Sequence, residues 1–592
     1  MRAFLLTVGF LLLAASPAAA ASARVWVTTP DGAEKMHDRG AVAFAPGGSD
    51  ALTISVDPSR RYQSMDGFGA SITDSSAQVL YGMSRSQRNA AMHSLFADDK
   101  LSFLRQPIGA SDFVAGPHYT YDDVPAGETD YRLRHFSIDH DRKQILPLLR
   151  QALRLNPQIK VIGSPWSPPA WMKTNQDLVG GRLIDSPRVY DAYARYLVKF
   201  VRAYKREGVP IYALTVQNEP QNRKPSGYPG MDMPVAQQAN LIASLGPKLR
   251  RAGFRTKILG YDHNWSTHEN DVATTPPGED AETEYPTKLL MTKAARWIAG
   301  TAYHCYAGEP SRQTELQKRF PGKGIWFTEC SGSHGAADPP AQFFSDTLKW
   351  HTRNVVLGVT RNWGKSVVNW NLALRPDGGP HNGGCDTCTG VITVDGDNWS
   401  QNAEYFTLGH LARFVKPGAQ RIASTSFGTT GWNGQIMDVA FRNRDGSTAL
   451  VVHNENDDPR TFAVAQGGAS FDYTLPGGAL ATFTWKADLD DGYRLLDPPA
   501  GPAEVVDDDA VTTWSGDTFD LDLGGTQRVR RVVLDTGTAS APGPATLSIG
   551  GSQWSAEGTG QLTTFDIPAT QARYLRIAFG APATVADVRI YR

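Results

Sequence analysis

The sequence lacks an excess of charge of either sign. Its 592 residues include 59 basic and 60 acidic side chains, and the formal net charge is −1. Nucleic acids and anionic membranes attract proteins largely through dense positive charge. The balance therefore argues against a nucleic-acid partner and favours an uncharged one.

Long apolar segments are also absent. The run from Phe4 to Ala15 is shorter than the ~20 residues of a membrane-spanning helix, and no later run is long enough. Arg2 precedes this run, and small residues suited to cleavage follow at Ala18 to Ala20 and Ala21 to Ala23. This order is typical of a signal peptide. We therefore expect a signal peptide over residues 1–23, a secreted, extracellular protein and no integral membrane segment.

Cysteine is scarce, with Cys305, Cys330, Cys385 and Cys388 the only four. In an exported protein an even count permits disulfides without fixing the pairs. Cys385 and Cys388 form a CxxC in a glycine-rich loop, and because no second CxxC exists, a local disulfide is favoured over a zinc half-site or redox pair. Cys305 and Cys330 are either bonded or two buried thiols.

Two cofactor signatures are missing. The 13 histidines form no HExxH or comparable set of metal ligands. No glycine-rich nucleotide fingerprint follows an early strand. We therefore expect neither a metal ion nor an organic cofactor.

The sequence does contain a repeated strand-and-helix unit. After the third run, for example, Ser186 can cap a helix that starts at Pro187 and stops at Gly208. Strand and helix alternate, which predicts a parallel sheet, and eight strands over ~350 residues predict an α/β fold, a (β/α)8 TIM barrel. The eight strand runs are Ser64 to Thr73, Phe103 to Gly109, Lys160 to Pro168, Tyr212 to Pro220, Lys257 to Trp265, Gly300 to Ala307, Gly324 to Gly332 and Ser366 to Leu374.

From about Arg421 the pattern changes to short alternating strands without helices. This predicts a β-sandwich side domain, built from Gln435 to Asn443, Thr448 to Asn454, Ser470 to Leu475 and Ala479 to Lys486. Asp488 to Asp509, rich in Asp, Pro and Gly, has the composition of a linker or domain edge. A C-terminal all-β, jelly-roll-like domain is expected after it, with strands at Phe519 to Leu523, Val529 to Leu534, Tyr574 to Ala578 and Ala586 to Tyr591.

Two predicted barrel strands end in glutamate, Glu219 and Glu329. They are 110 positions apart, which corresponds to three βα units of ~35 residues and places both acids at the barrel mouth on strands four and seven. Retaining glycoside hydrolysis needs one protonated and one ionised carboxyl group about 5–5.5 Å apart. Asn218, beside the first acid, is expected to form a hydrogen bond with the 2-hydroxyl of the sugar. Asp262, His263 and His304, near other strand ends, are expected to support the glutamates by hydrogen bonding.

Ordered motifs carry a family resemblance. They are Asp66-Gly67-Phe68-Gly69-Ala70-Ser71-Ile72-Thr73-Asp74, Leu104-Arg105-Gln106-Pro107-Ile108-Gly109 with Ser111-Asp112-Phe113, Ser164-Pro165-Trp166-Ser167-Pro168-Pro169-Ala170-Trp171-Met172-Lys173-Thr174-Asn175, Gln217-Asn218-Glu219-Pro220 and Asn369-Trp370-Asn371-Leu372-Ala373-Leu374. From Val25 to Lys486 the chain resembles glycoside hydrolase family 30, which includes lysosomal glucosylceramidase and its bacterial and fungal relatives. The resemblance implies that Glu219 is the acid/base and Glu329 the nucleophile.

The resemblance also implies the members of the pocket for the reacting sugar. Asp112 and Trp166 are expected to bind hydroxyls, Trp370 to form an aromatic floor, and Arg105 and His304 to support the acids. The full expected substrate-binding set is Asn218, Asp112, Trp166, Trp370, Tyr306, Tyr228, Arg105 and His304.

The family's fold also implies domain limits. Residues 24–57 are expected to pair with residues 419–487 in the sandwich, around a barrel at residues 58–418. Residues 488–592 resemble a discoidin-like (coagulation factor 5/8 type C) domain, which is expected either to bind polysaccharide or to be a structural appendage.

The sequence departs from lysosomal glucosylceramidase at Cys305, where that enzyme has tryptophan, and its loop from Gly378 to Thr389 resembles microbial relatives. These departures leave the aglycone side of the substrate open. The resemblance implies a secreted retaining β-glycosidase acting on a β-1,6-glucan or a glucosylceramide-type glucoside. A β-xylosidase or another β-glycosidase of the family is the alternative. A non-catalytic carbohydrate-binding protein is disfavoured, because it would be expected to lack one of the two acids.

Overall fold

The computed structural model describes residues 21–592 apart from residues 50, 333–338, 426, 428–435, 488, 508, 509, 511 and 539. The first 20 residues of the expected signal peptide lie outside this part of the chain. Among the residues described, no helix is long and apolar enough to cross a membrane.

Strands of three regions follow one another along the described chain. The first region gives β1 (Ser22–Thr28), β2 (His37–Ala43), β3 (Ala45–Pro46) and β4 (Leu52–Ser64). The second gives β5 (Gly67–Ser71), β6 (Phe103–Pro107), β7 (Lys160–Ser164), β8 (Ile211–Thr215), β9 (Lys257–Asn264), β10 (Ile298–His304), β11 (Gly324–Glu329), β12 (Ser366–Leu374), β13 (Gly390–Asp395) and β14 (Asn398–Gln401). The third gives β15 (Gln420–Ser424), β16 (Ile436–Arg442), β17 (Thr448–Asn454), β18 (Arg460–Gln466), β19 (Ala469–Leu475), β20 (Leu480–Trp485), β21 (Trp514–Asp535), β22 (Gly543–Ile549), β23 (Ser552–Gly558), β24 (Leu562–Val585) and β25 (Asp587–Tyr591).

The α-helices fall mainly between the strands of the second region. In chain order they are α1 (Asp74–Gly82), α2 (Arg85–His93), α3 (Asp139–Arg142), α4 (Ile145–Leu155), α5 (Pro187–Arg206), α6 (Val235–Arg251), α7 (Glu269–Ala273), α8 (Tyr285–Leu290), α9 (Ser311–Arg319), α10 (Pro340–His351), α11 (Val359–Arg361) and α12 (Ala403–Ala412).

The barrel is formed by β5 to β12, which pair in parallel in chain order, with β12 returning beside β5. The gap between β11 and β12 is closed by backbone bonds, in which Lys365 N–H donates to Ile325 O at 2.9 Å and Trp370 N–H to Cys330 O at 2.7 Å. One apolar residue from each of β6 to β12 fills the interior: Phe103, Ile162, Ala213, Leu259, Ala302, Trp326 and Val368. The predicted barrel is therefore confirmed.

Helix α5 shows how local sequence sets the barrel's outer layer. The Ser186 side chain accepts from Val189 N–H at the start, and Pro187 occupies the first turn, where a missing N–H costs nothing. Gly208 ends the segment with a φ of +82°, a conformation that glycine adopts without strain. The buried face of α5 includes Val189, Tyr193, Tyr196, Phe200 and Tyr204.

The side domain combines strands from both ends of the barrel. Its sheet runs β2-β1-β20-β17-β16-β15-β4-β18-β19-β3, so strands that precede the barrel pair with strands that follow it. Its apolar core includes Val25, Ile54, Leu450 and Phe483. The strand β18 was not among the predicted ones, because its first two residues are exposed and its remaining residues show little alternation.

The C-terminal region is a five-stranded sheet of order β23-β22-β24-β21-β25 within the described residues. Three of the four short strands predicted there are parts of two long, bulged strands, β21 and β24, and the fourth, Ala586 to Tyr591, corresponds to the separate strand β25. The preceding segment is not a free linker, because Ala500 pairs with Asp522 and Val505 lies in the sheet's apolar core.

Candidate active site

The candidate site lies at the carboxyl ends of the barrel strands. Glu219 follows β8 by a few residues, and Glu329 is the last residue of β11. Between them, β9 carries Asp262 and β10 ends at His304. Arg105 lies on β6, on the other side of Glu219's strand. Parallel strands bring their carboxyl ends to one rim, so these side chains converge there.

The backbone is distorted where Glu219 is presented. Glu219 has a φ of 46° and Asp262 a φ of 70°, which are left-handed values that non-glycine residues rarely adopt. Glu219 N–H donates to Asp262 O at 2.9 Å, and Asn218 N–H donates to Pro165 O at 2.8 Å. Such strain costs about 1–3 kcal/mol per residue and persists only where the surroundings hold it.

His304 connects the acids. Its Nδ1 lies 3.2 Å from Glu219 Oε1 and 3.8 Å from Glu329 Oε1. The two carboxylate oxygens therefore lie within about 7 Å of each other. His304 Nε2 lies 3.1 Å from Asp262 Oδ1, so a fully buried aspartate fixes the ring.

Arg105, on β6, contacts two of the acids that surround His304, namely Glu329 and Asp262. Its guanidinium is fully buried and donates to Glu329 Oε2, to Asn218 Oδ1 at 2.7 Å and to Asp262 Oδ2 at 2.9 Å. Asp262 accepts further bonds from three strand-end hydroxyls, those of Ser164, Thr215 and Thr328, each at 2.7 Å. The buried charges are thus paired and hydrogen-bonded, as burial requires.

The surroundings shift the pKa values of the two glutamates in opposite directions. Burial alone would raise the pKa of Glu219, but the hydrogen bond from His304, the charges of His263 and His304 and the Asn222 amide together lower this pKa to about 2. Burial raises the pKa of Glu329, although His304 and Arg105 act against it. Burial would lower the pKa of His304, yet its acidic neighbours raise it to about 9. These opposite shifts in pKa favour the proton of the Glu219–His304 pair on His304.

The walls of the site are aromatic. Trp166 and Trp370 stack with ring centroids 4.9 Å apart, and the Arg105 guanidinium carbon lies 4.8 Å from the Trp166 ring centroid. Tyr306 donates its hydroxyl to Glu329 Oε1 at 3.0 Å, and 41% of the residue is exposed at the mouth. Stacked rings beside convergent polar groups are suited to a sugar, which has an apolar face and a polar edge.

Asn222 and Asp112 complete the rim. Asn222 Nδ2 donates to Glu219 Oε2 at 3.1 Å and to the Tyr228 hydroxyl at 2.8 Å. Asp112 is buried, its Oδ1 has no hydrogen-bond partner among the described residues, and burial together with the nearby charge of Glu329 holds its pKa well above the usual value. An unpaired buried carboxyl oxygen is a ready partner for a ligand hydroxyl.

Comparisons with known proteins agree with this geometry. The Glycosyl hydrolase family 30 TIM-barrel domain matches residues 65–415, and the family 30 beta sandwich domain matches residues 418–483. The chain belongs to glycosyl hydrolase family 30. It is a β-glycoside hydrolase.

Among its relatives, an endo-1,6-beta-D-glucanase of Neurospora crassa is 34% identical over 469 residues, which cover 76% of this chain and 91% of the relative. The lysosomal acid glucosylceramidase of Mus musculus is 28% identical over 467 residues, covering 74% and 84% of the two chains. A solved structure of the endo-beta1,6-glucanase BT3312 matches with 33% identity and a TM-score of 0.69, covering 79% of this chain and 100% of that one.

Two disulfides border the site of this family 30 chain. Cys305–Cys330 joins the residues that follow His304 and Glu329, with a Cα separation of 5.4 Å. Cys385–Cys388 closes the loop that packs beside Trp370 and Asp112. The same loop is held to the rim because Asn382 N–H donates to Asp112 O at 2.8 Å.

The structure brings the predicted site residues together at one rim, including Tyr228, which reaches Glu219 through Asn222. The sequence pattern does not predict a role for Asn222 or for the hydroxyls of Ser164, Thr215 and Thr328. Asp262 was expected to be one of several supporting residues, whereas in the structure it bonds both Arg105 and His304. Their positions at or near the carboxyl ends of barrel strands could have indicated that they lie close to the site.

Proposed function

We propose that the protein is a secreted retaining β-glycosidase that cleaves β-1,6-glucan, with Glu219 as acid/base and Glu329 as nucleophile. The observation that carries this proposal is the convergence of both glutamates on His304 Nδ1. Retaining enzymes place their carboxyl groups about 5–5.5 Å apart, whereas inverting enzymes need about 6.5–9.5 Å. A separation within about 7 Å favours the retaining geometry.

In the first step, a Glu329 oxygen attacks the anomeric carbon, and the glycosidic C–O bond breaks. Arg105 and Tyr306 each donate to a Glu329 oxygen, and these bonds orient the carboxylate for attack. Asn218 is held by Arg105, and its amide is placed to meet the sugar 2-hydroxyl. The product of this step is a glycosyl ester on Glu329.

The departing oxygen must receive a proton, and the low pKa of Glu219 raises the question of its source. His304 Nδ1, 3.2 Å from Glu219 Oε1, holds that proton in the resting protein. Transfer from His304 to Glu219 and then to the leaving oxygen needs no proton from solvent. In the second step, water gives a proton to Glu219, its oxygen attacks the anomeric carbon, and the ester bond to Glu329 breaks. The proton then passes from Glu219 back to His304, which restores the resting state.

The substrate assignment rests on the relatives. Endo-1,6-beta-D-glucanases of Neurospora crassa and Trichoderma harzianum are 34% and 30% identical to the chain, compared with 28% for the mouse glucosylceramidase.

We further propose that the C-terminal sheet binds polysaccharide. Export is proposed from the leading sequence, and cleavage at or before Ala21 would keep strand β1 whole, since Ala23 is fully buried in the side domain.

The first test follows the anomer released from β-1,6-glucan by NMR, beside aryl β-glucoside, aryl β-xyloside, glucosylceramide, β-1,3-glucan and β-1,4-glucan. We expect cleavage of the β-1,6-glucan with the β-anomer formed first. Initial release of the α-anomer would exclude retention. Preference for another substrate of the panel would replace the substrate assignment and leave the mechanism standing.

The second test separates the two roles with azide and an aryl β-glucoside whose leaving group needs little protonation. Glu219→Ala should form the glycosyl ester and give β-glucosyl azide, whereas Glu329→Ala should give α-glucosyl azide by direct attack. The opposite pairing of products would reverse the roles. Glu315→Ala removes an exposed glutamate of α9 and should keep the wild-type rate.

A further inference from the structure

A cleft of about 850 Å³ lies between the side domain and the C-terminal sheet. The side domain contributes Thr53, Asp57 and Arg61, and the C-terminal region contributes Tyr493 and Arg531. None of the residues lining the cleft belongs to the catalytic group at the barrel mouth. Its volume is within the range of about 300–1,000 Å³ typical of ligand sites.

The walls of the cleft are fixed to one another. Gln561 lines it and is buried, with its amide bridging the two domains. Thr53 N–H donates to Gln561 Oε1 at 2.6 Å, while Gln561 Nε2 donates to Thr53 O at 3.2 Å and to Asp535 Oδ1 at 2.9 Å. Nearby, Arg60 donates to Leu496 O at 3.1 Å. The cleft is therefore preformed, which reduces the entropy lost on binding.

Two arginines that line the cleft are paired with carboxylates. Arg494 makes two bonds of 2.7 Å to Asp490, and Arg531 bonds Asp566 at 2.6 Å and Asp491 at 3.1 Å. An anion would have to compete with these carboxylates. A neutral polyhydroxylated ligand can instead accept from the guanidinium and donate to the carboxylate of a pair without breaking it.

Aromatic rings stand beside these pairs. Tyr493 and Tyr591 both line the cleft and are partly exposed, with ring centroids 6.3 Å apart. Arg531 lies 3.8 Å from the Tyr493 ring centroid, and the Tyr493 hydroxyl donates to Asp566 at 3.1 Å. Rings held rigidly next to donors and acceptors match the apolar faces and hydroxyl edges of sugars.

We propose that this cleft is a second carbohydrate site, which binds a neutral segment of the glucan chain while the barrel cleaves another. The polysaccharide's identity rests on the proposed function, whereas the site itself rests on the cleft. Two linked sites raise the effective concentration of a polymer at the catalytic group. A short substrate that reaches only one site gains nothing.

The test uses a substitution whose new side chain occupies part of the cleft and which removes no side-chain hydrogen bond. Gly560 lines the cleft, and no heavy atom of the described part of the chain lies within 4 Å of the position that a Cβ would take there. Gly580 is an exposed residue of β24 with the same open surroundings, outside the cleft. Gly560→Phe and Gly580→Phe are therefore a matched pair. Each is made in the full chain carrying Glu329→Gln for binding to soluble β-1,6-, β-1,3- and β-1,4-glucans, and in the otherwise wild-type chain for kinetics.

We expect Gly560→Phe to bind its preferred glucan at least about fivefold more weakly and to raise KM for that polymer, with kcat/KM for an aryl β-glucoside unchanged. Gly580→Phe should behave as the parent. Tyr493→Ala and Arg494→Ala, on the cleft wall, should repeat the loss. Polymer binding that is unchanged in all three cleft variants, or lowered equally by Gly580→Phe, would overturn the site. Failure of the wild type to cleave any glucoside would instead overturn the proposed function.

Discussion

Glu219 donates its backbone N–H to the carbonyl oxygen of Asp262 at 2.9 Å, and both residues have left-handed backbone torsions. This bond ties the segment that follows β8 to β9 at the rim. It brings the carboxylate of Glu219 to His304, which Asp262 holds from the other side. The strain of two unusual φ values is thus held by a buried network of charges.

Replacement of His304 should change the pH dependence of hydrolysis. His304 and Glu219 together keep one proton between about pH 2 and pH 9. We expect wild-type kcat/KM to fall as pH rises through about 9. In His304→Gln, Glu219 must hold the proton alone. Its pKa should rise, because His304 no longer lowers it, but it should stay below the value of about 9 at which His304 loses its proton in the wild type. The basic limb of the kcat/KM profile should therefore move to lower pH.

The groups facing His304 are Glu219, Glu329 and Asp262, and Arg105 contacts two of these three. The raised pKa of His304 stabilises the fold fully below about pH 6.5, and this contribution is lost as pH rises through about 9. His453→Gln replaces a buried histidine of the side domain and should leave the limb in place. An unshifted limb in His304→Gln would rule out His304 as the proton store.

Removal of Asp262 should destabilise the protein. Asp262→Ala leaves Arg105 and His304 buried with one counter-charge fewer, and breaking a buried pair costs about 3–5 kcal/mol. Urea denaturation of the variant should show this loss in the free energy of unfolding. Glu315→Gln breaks an exposed pair with Arg312 and should cost at most about 1 kcal/mol. Equal losses in the two variants would contradict the central place of Asp262.

The two disulfides should differ in their contribution to stability. Cys305–Cys330 closes 25 residues and Cys385–Cys388 closes 3, so chain entropy assigns about 3–4 kcal/mol to the first and about 1.5 kcal/mol to the second. Paired replacement by serine, followed by urea denaturation, measures each. Loss of the short bridge should act mainly on KM, since its loop contacts Asp112. A larger stability loss from the short bridge would contradict this ranking.

Much of the fold could be read from local sequence. Ser186, Pro187 and Gly208 set the ends of one helix because capping and left-handed turns depend on a few adjacent atoms. The barrel strands were recognisable because both faces are buried, which leaves apolar runs. Strand β18 was missed because its pairing with β4, over 400 residues away, compensates for a weak local pattern.

By itself, the sequence determined the order of strands and helices, and hence that Glu219 and Glu329 share one rim, because strand order in a parallel barrel follows chain order. Only the tertiary structure decided which groups lie between them. His304 contacts both acids, Asp262 fixes His304, and Arg105 reaches across from β6. The pKa of a buried group depends on charges a few ångströms away in space, whatever their separation along the chain.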